Sequence, residues 1–391
     1  LTSPQAALKE KLIERTYSQF PALSMPPFRA LIADQLLSAF HLTLPIQVLQ
    51  QAQKFVSAAF HLRTLKAYTS HFAQELQNLQ LKEPGNHSIL MSYDFHLDTT
   101  GQLKLIEVNT NASFLAIGDL MYQANGIPQP IPDFNMEEIR SNIENEMKLN
   151  GFQAKSGMPV AIIDENPEEQ KLFAEFLIFA EHFKSWGWNT QVCDYRNLPR
   201  NFDFIYNRTT DFLLSDPSSA SLRELYNSRK STLSPHPVEY IYLASKSRFL
   251  DWQKPGFLES MGLPAEEIID LLHALPKNLI LNATNATEIW QQRKTLFFKP
   301  FQSYGAKQTY RGSGITKKTF EEISSQGFLA QEYVAPSEIE RETPTGPQKF
   351  KYDLRFYAYQ DRIQSVIARI YQGQLTNLRT PLGGFACVKF N

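Results

Sequence analysis

Cysteine is almost missing from this chain: 391 residues carry two, Cys193 and Cys387. So far apart, they form neither a disulfide framework nor a zinc site, and they suit a reducing, cytoplasmic compartment. No apolar run reaches the roughly 20 residues that span a bilayer, and no charged-then-apolar leader pattern opens the chain. It begins Leu1-Thr2 rather than with Met, which leaves a trimmed leader open. An excess of charge of one sign is absent too: 39 Lys+Arg face 40 Asp+Glu. No overall field therefore favours nucleic acid or an anionic membrane. Neither G-x-x-x-x-G-K-[ST] nor G-x-G-x-x-G occurs, which argues against a P-loop NTPase and a Rossmann dinucleotide site. What is present is length enough for two or three domains with substantial cores.

Four stretches are expected. Residues 1–87 are helical in character, with apolar stripes at Leu8, Leu12 and Ile13, at Leu31, Leu36 and Leu37, and at Val48, Phe55 and Val56. Residues 88–157 hold a strand pair, a proline-rich turn and an amphipathic helix over Met136 to Leu149. Residues 158–239 read strand, helix, strand, strand (159–163, 168–186, 188–193, 202–207), the pattern of a parallel α/β unit. Residues 240–391 hold a helix over 242–252 and strands over 296–300, 328–334, 352–359 and 363–371. A further β-segment is expected over 375–379, before a Gly383-Gly384 turn.

The most informative stretch runs from Asp94 to Asn109. It reads as two strands joined by a polar turn, the second presenting Glu107 and Asn109 on one face because strand side chains repeat every two residues. A hairpin return brings Asp94 near them. Two carboxylates and an amide oxygen are the hard donor set that holds Mg2+ beside phosphates; an exposed acidic hairpin edge is the plainer alternative. In the α/β unit, the rule that ligands meet the C-terminal ends of parallel strands selects Asp164, Glu165 and Asn166, and Arg208 to Asp211.

Lys299 sits among Phe297, Phe298, Pro300 and Phe301. A lysine so placed either serves an anion in a cleft or reaches past the strand end to water. The loop after it, with Gly305, is small enough to bring N–H groups toward phosphate. Arg355, Arg369, Asn377 and Arg379 are expected on adjacent strands, where arginine forks suit an anionic transition state; cross-strand pairing with Asp353 and Asp361 is the alternative.

As an ordered set, these motifs resemble the ATP-grasp superfamily. The order is Lys246, Lys299-Pro300 with its loop, Gln331-Glu332-Tyr333-Val334, Asp353-Leu354-Arg355, then Arg369, Asn377, Arg379 and Gly383-Gly384. The Asp94, Glu107 and Asn109 motif precedes the α/β unit instead of closing the domain. That permuted order resembles eukaryotic-type glutathione synthetase and, more distantly, glutathionylspermidine synthetase. The fold implied is α/β, a permuted ATP-grasp with a parallel α/β substrate-binding unit and a helical N-terminal segment.

The resemblance also implies roles. Asp94, Glu107 and Asn109 would hold Mg2+. Lys246 and Lys299 would hold the α- and β-phosphates of ATP, with Ser303, Tyr304, Gly305 and Lys307 in the covering loop. Gln331 to Val334 would take adenine, and Glu332, Glu338 or Glu340 the ribose. Arg355, Arg369, Asn377 and Arg379 would stabilise the transferring phosphoryl group. Asp164, Asn166, Gln170, Arg208 and Asp211, with Asn111, Ser113, Gly383 and Gly384, would hold the substrate.

The activity implied is a ligase joining a small carboxylate to an amine through an acyl phosphate. A nucleotide-binding protein without turnover and a small-molecule kinase are the alternatives. This chain departs from the family where Ser303 replaces a metal-binding Glu, where Tyr304-Gly305-Ala306 replaces three glycines, and where Ser92 and Pro381 replace an arginine and a lysine. The helical segment is expected to shape the acceptor site or a dimer interface.

Overall fold

The structure is a computed structural model and describes residues 3–198, 202–301 and 308–391. Among the described residues, the strands form three sheets. The largest has the order Leu37–Leu44, Gly384–Phe390, Arg362–Tyr371, Gly346–Tyr359, Met91–Leu97, Leu103–Asn109, with Ser337–Thr343 added beside Gly346–Tyr359. Its first pair is parallel and every other pair antiparallel. Alternation along Gly346–Tyr359 explains its two faces. Tyr352, Leu354, Phe356 and Ala358 enter one core, so Asp353, Arg355 and Tyr357 turn to the other side. The helix Ile46–Thr64 covers the first face, burying Val48, Ala52, Phe55, Val56, Ala59 and Leu62 at helical spacing.

Two smaller sheets flank this one. Asn189–Asp194, Pro159–Asp164, Phe204–Asn207 and Thr232–Ser234 form an all-parallel sheet, with the helix Phe173–Ser185 as crossover. That is the expected α/β unit plus one short strand whose three residues carry too little pattern to be foreseen. Tyr310–Arg311, Leu296–Pro300, Phe328–Glu332 and Asn278–Leu281 form an antiparallel sheet with its own core around Phe298, Phe320 and Ile323.

Three expectations are corrected. Residues 37–44 are a strand rather than helix, because the chain's last strand offers them a parallel edge. Residues 375–379 lie in a loop, so Asn377 and Arg379 are not on a strand. The helix expected over 242–252 is a π-turn, Tyr240–Ala244, then a separate α-helix, Ser247–Trp252, with Lys246 at the break. The helix Met136–Leu149 forms as expected, capped by the Asn135 side chain on the Glu137 N–H. No helix among the described residues is long and apolar enough to cross a membrane.

Candidate functional site

Glu107 reaches the site through a register shift. Met91–Leu97 pairs with Leu103–Asn109 so that Asp94 opposes Glu107 but Phe95 opposes Leu105, leaving Ile106 extra. Without this bulge, Glu107 would share a face with Leu103 and Leu105, which are buried in the core. The bulge switches the parity, so Val108 takes the core side and Glu107 and Asn109 the opposite one. It also turns the Ile106 carbonyl to accept from Lys299 Nζ at 3.1 Å.

That opposite face carries one ionic row across three neighbouring strands. Arg355 opposes Asp94, and Asp353 opposes Arg369. Arg355 Nε and Nη2 donate to Asp94 Oδ1 and Oδ2 at 2.8 and 2.7 Å, and Arg369 Nη2 donates to Oδ2 at 2.9 Å. Arg369 Nε donates to Asp353 Oδ1 at 2.6 Å, and the Thr376 hydroxyl to Oδ2 at 2.6 Å. Burial pushes the Asp94 carboxyl up, but the two guanidinium groups outweigh it and hold it at about 2.

Between this face and the antiparallel sheet lies a cavity of about 990 Å3. From the central sheet it is lined by Glu107, Asn109, Arg355 and Arg369, and from the other side by Lys246, Lys299 and Gln331 to Val334. Lys299 is 8 % exposed and also donates to Gln331 Oε1 at 2.8 Å. Burial pushes its ammonium down to about 8, with Glu107 opposing and Lys246 assisting. Burial likewise lowers Lys246, again opposed by Glu107. Positive charge thus exceeds negative along this stretch, a setting for phosphate.

Asp94 does not line the cavity and is fully buried beneath it. Asn109 Nδ2 lies 3.5 Å from both Asp94 Oδ2 and Glu107 Oε1, so the three are neighbours. Among the described residues, no group of three or more His, Cys, Asp or Glu is placed to hold a metal ion. Glu107 and Asn109 remain as oxygen donors at the cavity surface. They fit a Mg2+ carried in on nucleotide phosphates, which uses few protein ligands and keeps waters.

Other expected residues divide. Ser113, Gln170, Glu332, Asn377 and Arg379 line the same cavity. Ser303, Tyr304, Gly305 and Lys307 lie outside the described residues. Glu338 and Glu340 are exposed on Ser337–Thr343 and do not line it. Asp164, Asn166, Asn111, Arg208 and Asp211 do not line it either.

Their partners show what they do instead. Arg208 is 7 % exposed, and its Nη1 donates to the Asn111 and Ala112 carbonyls at 2.9 and 2.6 Å. Asn111 Nδ2 returns a bond to the Thr209 carbonyl at 3.1 Å. Asp211 caps its own loop through the Ser215 and Asp216 N–H groups. The Asn166 N–H bonds Asp194 at 3.0 Å. Burial pushes Asp164 up to about 6, against the Glu165 N–H and the Arg208 charge. Gly383 and Gly384 serve packing: a Cβ on either would fall within 2.8 Å of main-chain atoms, Ile370 O for the first and Gln35 O for the second.

His96 was missed. It lines the cavity, and its Nδ1 lies 2.8 Å from the Val334 carbonyl, tying the central sheet to the segment expected to hold adenine. A carbonyl only accepts, so Nδ1 carries the hydrogen. The same-face rule that selects Glu107 and Asn109 selects His96 from Asp94, two residues before it. Leu31, Ala33, Gln35 and Leu36, from the N-terminal segment, also line the cavity.

No family model and no curated protein matches this sequence. Solved structures do. A glutathione synthetase-like effector from Globodera pallida, in its apo form, aligns over 100% of this chain and 98% of its own, at 13% identity and a TM-score of 0.55. A putative gamma-glutamylcysteine synthetase from Methylobacillus flagellatus aligns over 84% of each chain at 10% identity and a TM-score of 0.42. The ATP-grasp ligase PsnB aligns over 53% of this chain and 89% of its own at 12% identity and a TM-score of 0.30. Those two likenesses are too slight to add to the first. At its low identity the first speaks for fold alone: the chain has an ATP-grasp fold.

Proposed function

On this fold, we propose that the cavity binds Mg2+·ATP and joins a small carboxylate to an amine with release of ADP. One observation carries the reading: Lys246, Lys299, Arg355 and Arg369 share a single cavity with Glu107, Asn109 and Gln331 to Val334. The residues act by position and charge. Lys246 and Lys299 hold the α- and β-phosphates, and the Gln331–Val334 main chain takes the base. The substrate carboxylate oxygen attacks the γ-phosphorus, ADP leaves, and an acyl phosphate forms. The amine nitrogen then attacks the acyl carbon, loses a proton and expels inorganic phosphate. Arg355 and Arg369 neutralise charge on the moving phosphoryl group and on the tetrahedral oxyanion. Glu107 and Asn109 would hold the Mg2+, which neutralises phosphate charge when bound. Asp94 acts through the arginines, fixing both forks from below.

The test is ADP release from Mg2+·ATP across a matrix of acids and amines. Release that requires both partners supports ligation; release with an acid alone points to a kinase. The pairing of both arginines with Asp94 and Asp353 favours a second reading, nucleotide binding without turnover. Nucleotide affinity with no ADP release under any pairing selects it.

A further inference from the structure

One end of the cavity differs from the rest. Leu31, Ala33 and Leu36, from the segment before the first strand, line it together with Leu172, Leu378 and Phe385. Leu31, Ala33, Leu172 and Leu378 are only half-buried, so they keep apolar surface for something to cover. This wall is built rather than loose. Gln5 is buried; its Nε2 donates to the Leu37 and Gly383 carbonyls at 2.9 and 3.0 Å, and its Oε1 accepts from the Leu382 N–H at 3.2 Å. Ser38 Oγ donates to the Leu382 carbonyl at 2.9 Å. The two halves of the wall, the N-terminal segment and the loop before the last strand, are thereby fastened together.

Charge at this end is positive. Lys171 and Arg379 line the cavity and are exposed. Among the described lining residues the carboxylates are Glu107, Glu332 and Asp353, and each is engaged elsewhere. Asp353 is taken by Arg369 and Thr376. Glu332 Oε2 accepts from the Lys277 N–H at 3.1 Å. Glu107 faces Lys246 and Lys299. A cationic side chain entering here finds no carboxylate to meet, whereas a carboxylate finds two cations.

We propose that this wall is the acceptor subsite and that it takes an amino acid or short peptide bearing an aliphatic side chain and a free carboxylate. The word acceptor rests on the ligase reading; the binding preference does not. One methylene on a matching apolar wall is worth roughly 10- to 200-fold in discrimination. Glycine lacks the side chain the wall covers, and a polyamine brings the wrong charge.

The test is calorimetry on the full chain saturated with Mg2+ and a non-hydrolysable ATP analogue, titrated with Gly-Leu, Gly-Gly, Gly-Asp and spermidine. Gly-Leu is expected to bind at least about tenfold more tightly than the other three. In the Leu31→Asn/Leu172→Asn double variant that preference should fall to within about twofold with nucleotide affinity unchanged. Should the double variant fail to fold, Leu378→Asn alone carries the same test. Equal or tighter binding of Gly-Gly, Gly-Asp or spermidine, no binding of Gly-Leu, or a preference that survives the variants overturns the proposal. ADP release with Gly-Leu and an activatable acid is measured in parallel. Preferential binding without ADP release supports the subsite and overturns ligation; release driven best by glycine or a polyamine overturns the subsite and keeps ligation.

Discussion

Lys299 shows how one side chain is set by opposing effects. Burial favours its neutral form and Glu107 the charged one; with Lys246 also nearby, the balance falls at about 8. A bound polyphosphate needs the ammonium. Below pH 8 the free protein already holds the proton, and above it binding must bring one in. ATP affinity should therefore be flat from about pH 7 to 8 and weaken above that, by up to about tenfold per pH unit. The second ionisation of phosphate, near 6, is about nine-tenths complete at pH 7 and adds little slope above it. Calorimetry from pH 7 to 9.5 checks this, and Lys299→Arg should remove the slope because its guanidinium stays charged. Affinity flat through pH 9.5 in the parent would place Lys299 away from the phosphates. Glu107→Gln should keep the unfolding free energy within about 1 kcal/mol of the parent. It should cut Mg2+-dependent ADP release at least about a hundredfold; turnover equal to the parent removes Glu107 from the site. Both residues line the cavity, a placement readable in the chain from the two-residue spacing of Glu107 to Asn109 and from the aromatic neighbours of Lys299. That Asp94 is fastened to Arg355 and Arg369 was not readable there, since the partners lie some 260 and 275 positions away.

At the scale of elements, the bulge at Ile106 and the antiparallel sheet decide which groups meet. Strand alternation alone sets Glu107 and Asn109 on one face, but it also puts Leu103 and Leu105 there. An unpaired strand has no means of showing the extra residue that resolves the conflict, because a bulge is defined by its partner. The antiparallel sheet depends on a close approach at Gly312, where a Cβ would sit 1.8 Å from the Arg293 carbonyl oxygen. The Gly312 N–H donates to the Leu296 carbonyl at 2.9 Å, so the chain has no room to retreat without losing that bond. Gly312→Ala is expected to cost about 3 kcal/mol or more and to weaken nucleotide binding, since Lys299 and Gln331 hang from this sheet. Urea unfolding followed alongside nucleotide titration checks it. A variant with parent-like stability would show that the 293–296 turn yields easily.

Across the whole molecule, the first and last parts of the described chain close on each other. Gly384 opens the last strand at φ +116°, in the region that favours glycine, and a Cβ there would lie 2.8 Å from Gln35 O and from Leu36 C and O. Gly384→Ala should destabilise the protein by about 2–4 kcal/mol. It should also displace the Leu31–Leu36 segment, so that the Michaelis constant for the acid or amine rises while that for ATP stays near the parent value. Melting curves and substrate-saturation kinetics separate the two effects. A rise in the ATP constant alone would mean the strain passes into the central sheet instead of the apolar end of the cavity.

From the chain alone came what depends on neighbours in sequence: the parallel α/β unit, the helix Met136–Leu149, the hairpin with its acidic pair, and the ordered motifs that resemble an ATP-grasp protein. Period and spacing encode these because hydrogen bonds and side-chain faces repeat locally. Tertiary structure decided what depends on partners. Residues 37–44 became a strand only because the last strand offered an edge. Asn377 and Arg379 left the sheet for a loop organised by Asn377 itself, whose Oδ1 accepts from the Arg379 N–H and the Thr380 hydroxyl. Arg208, expected to hold substrate, turned inward to two carbonyls because a buried guanidinium must satisfy its donors wherever acceptors lie. Register, burial and the identity of an ionic partner are properties of pairs of distant segments, and no single segment carries them.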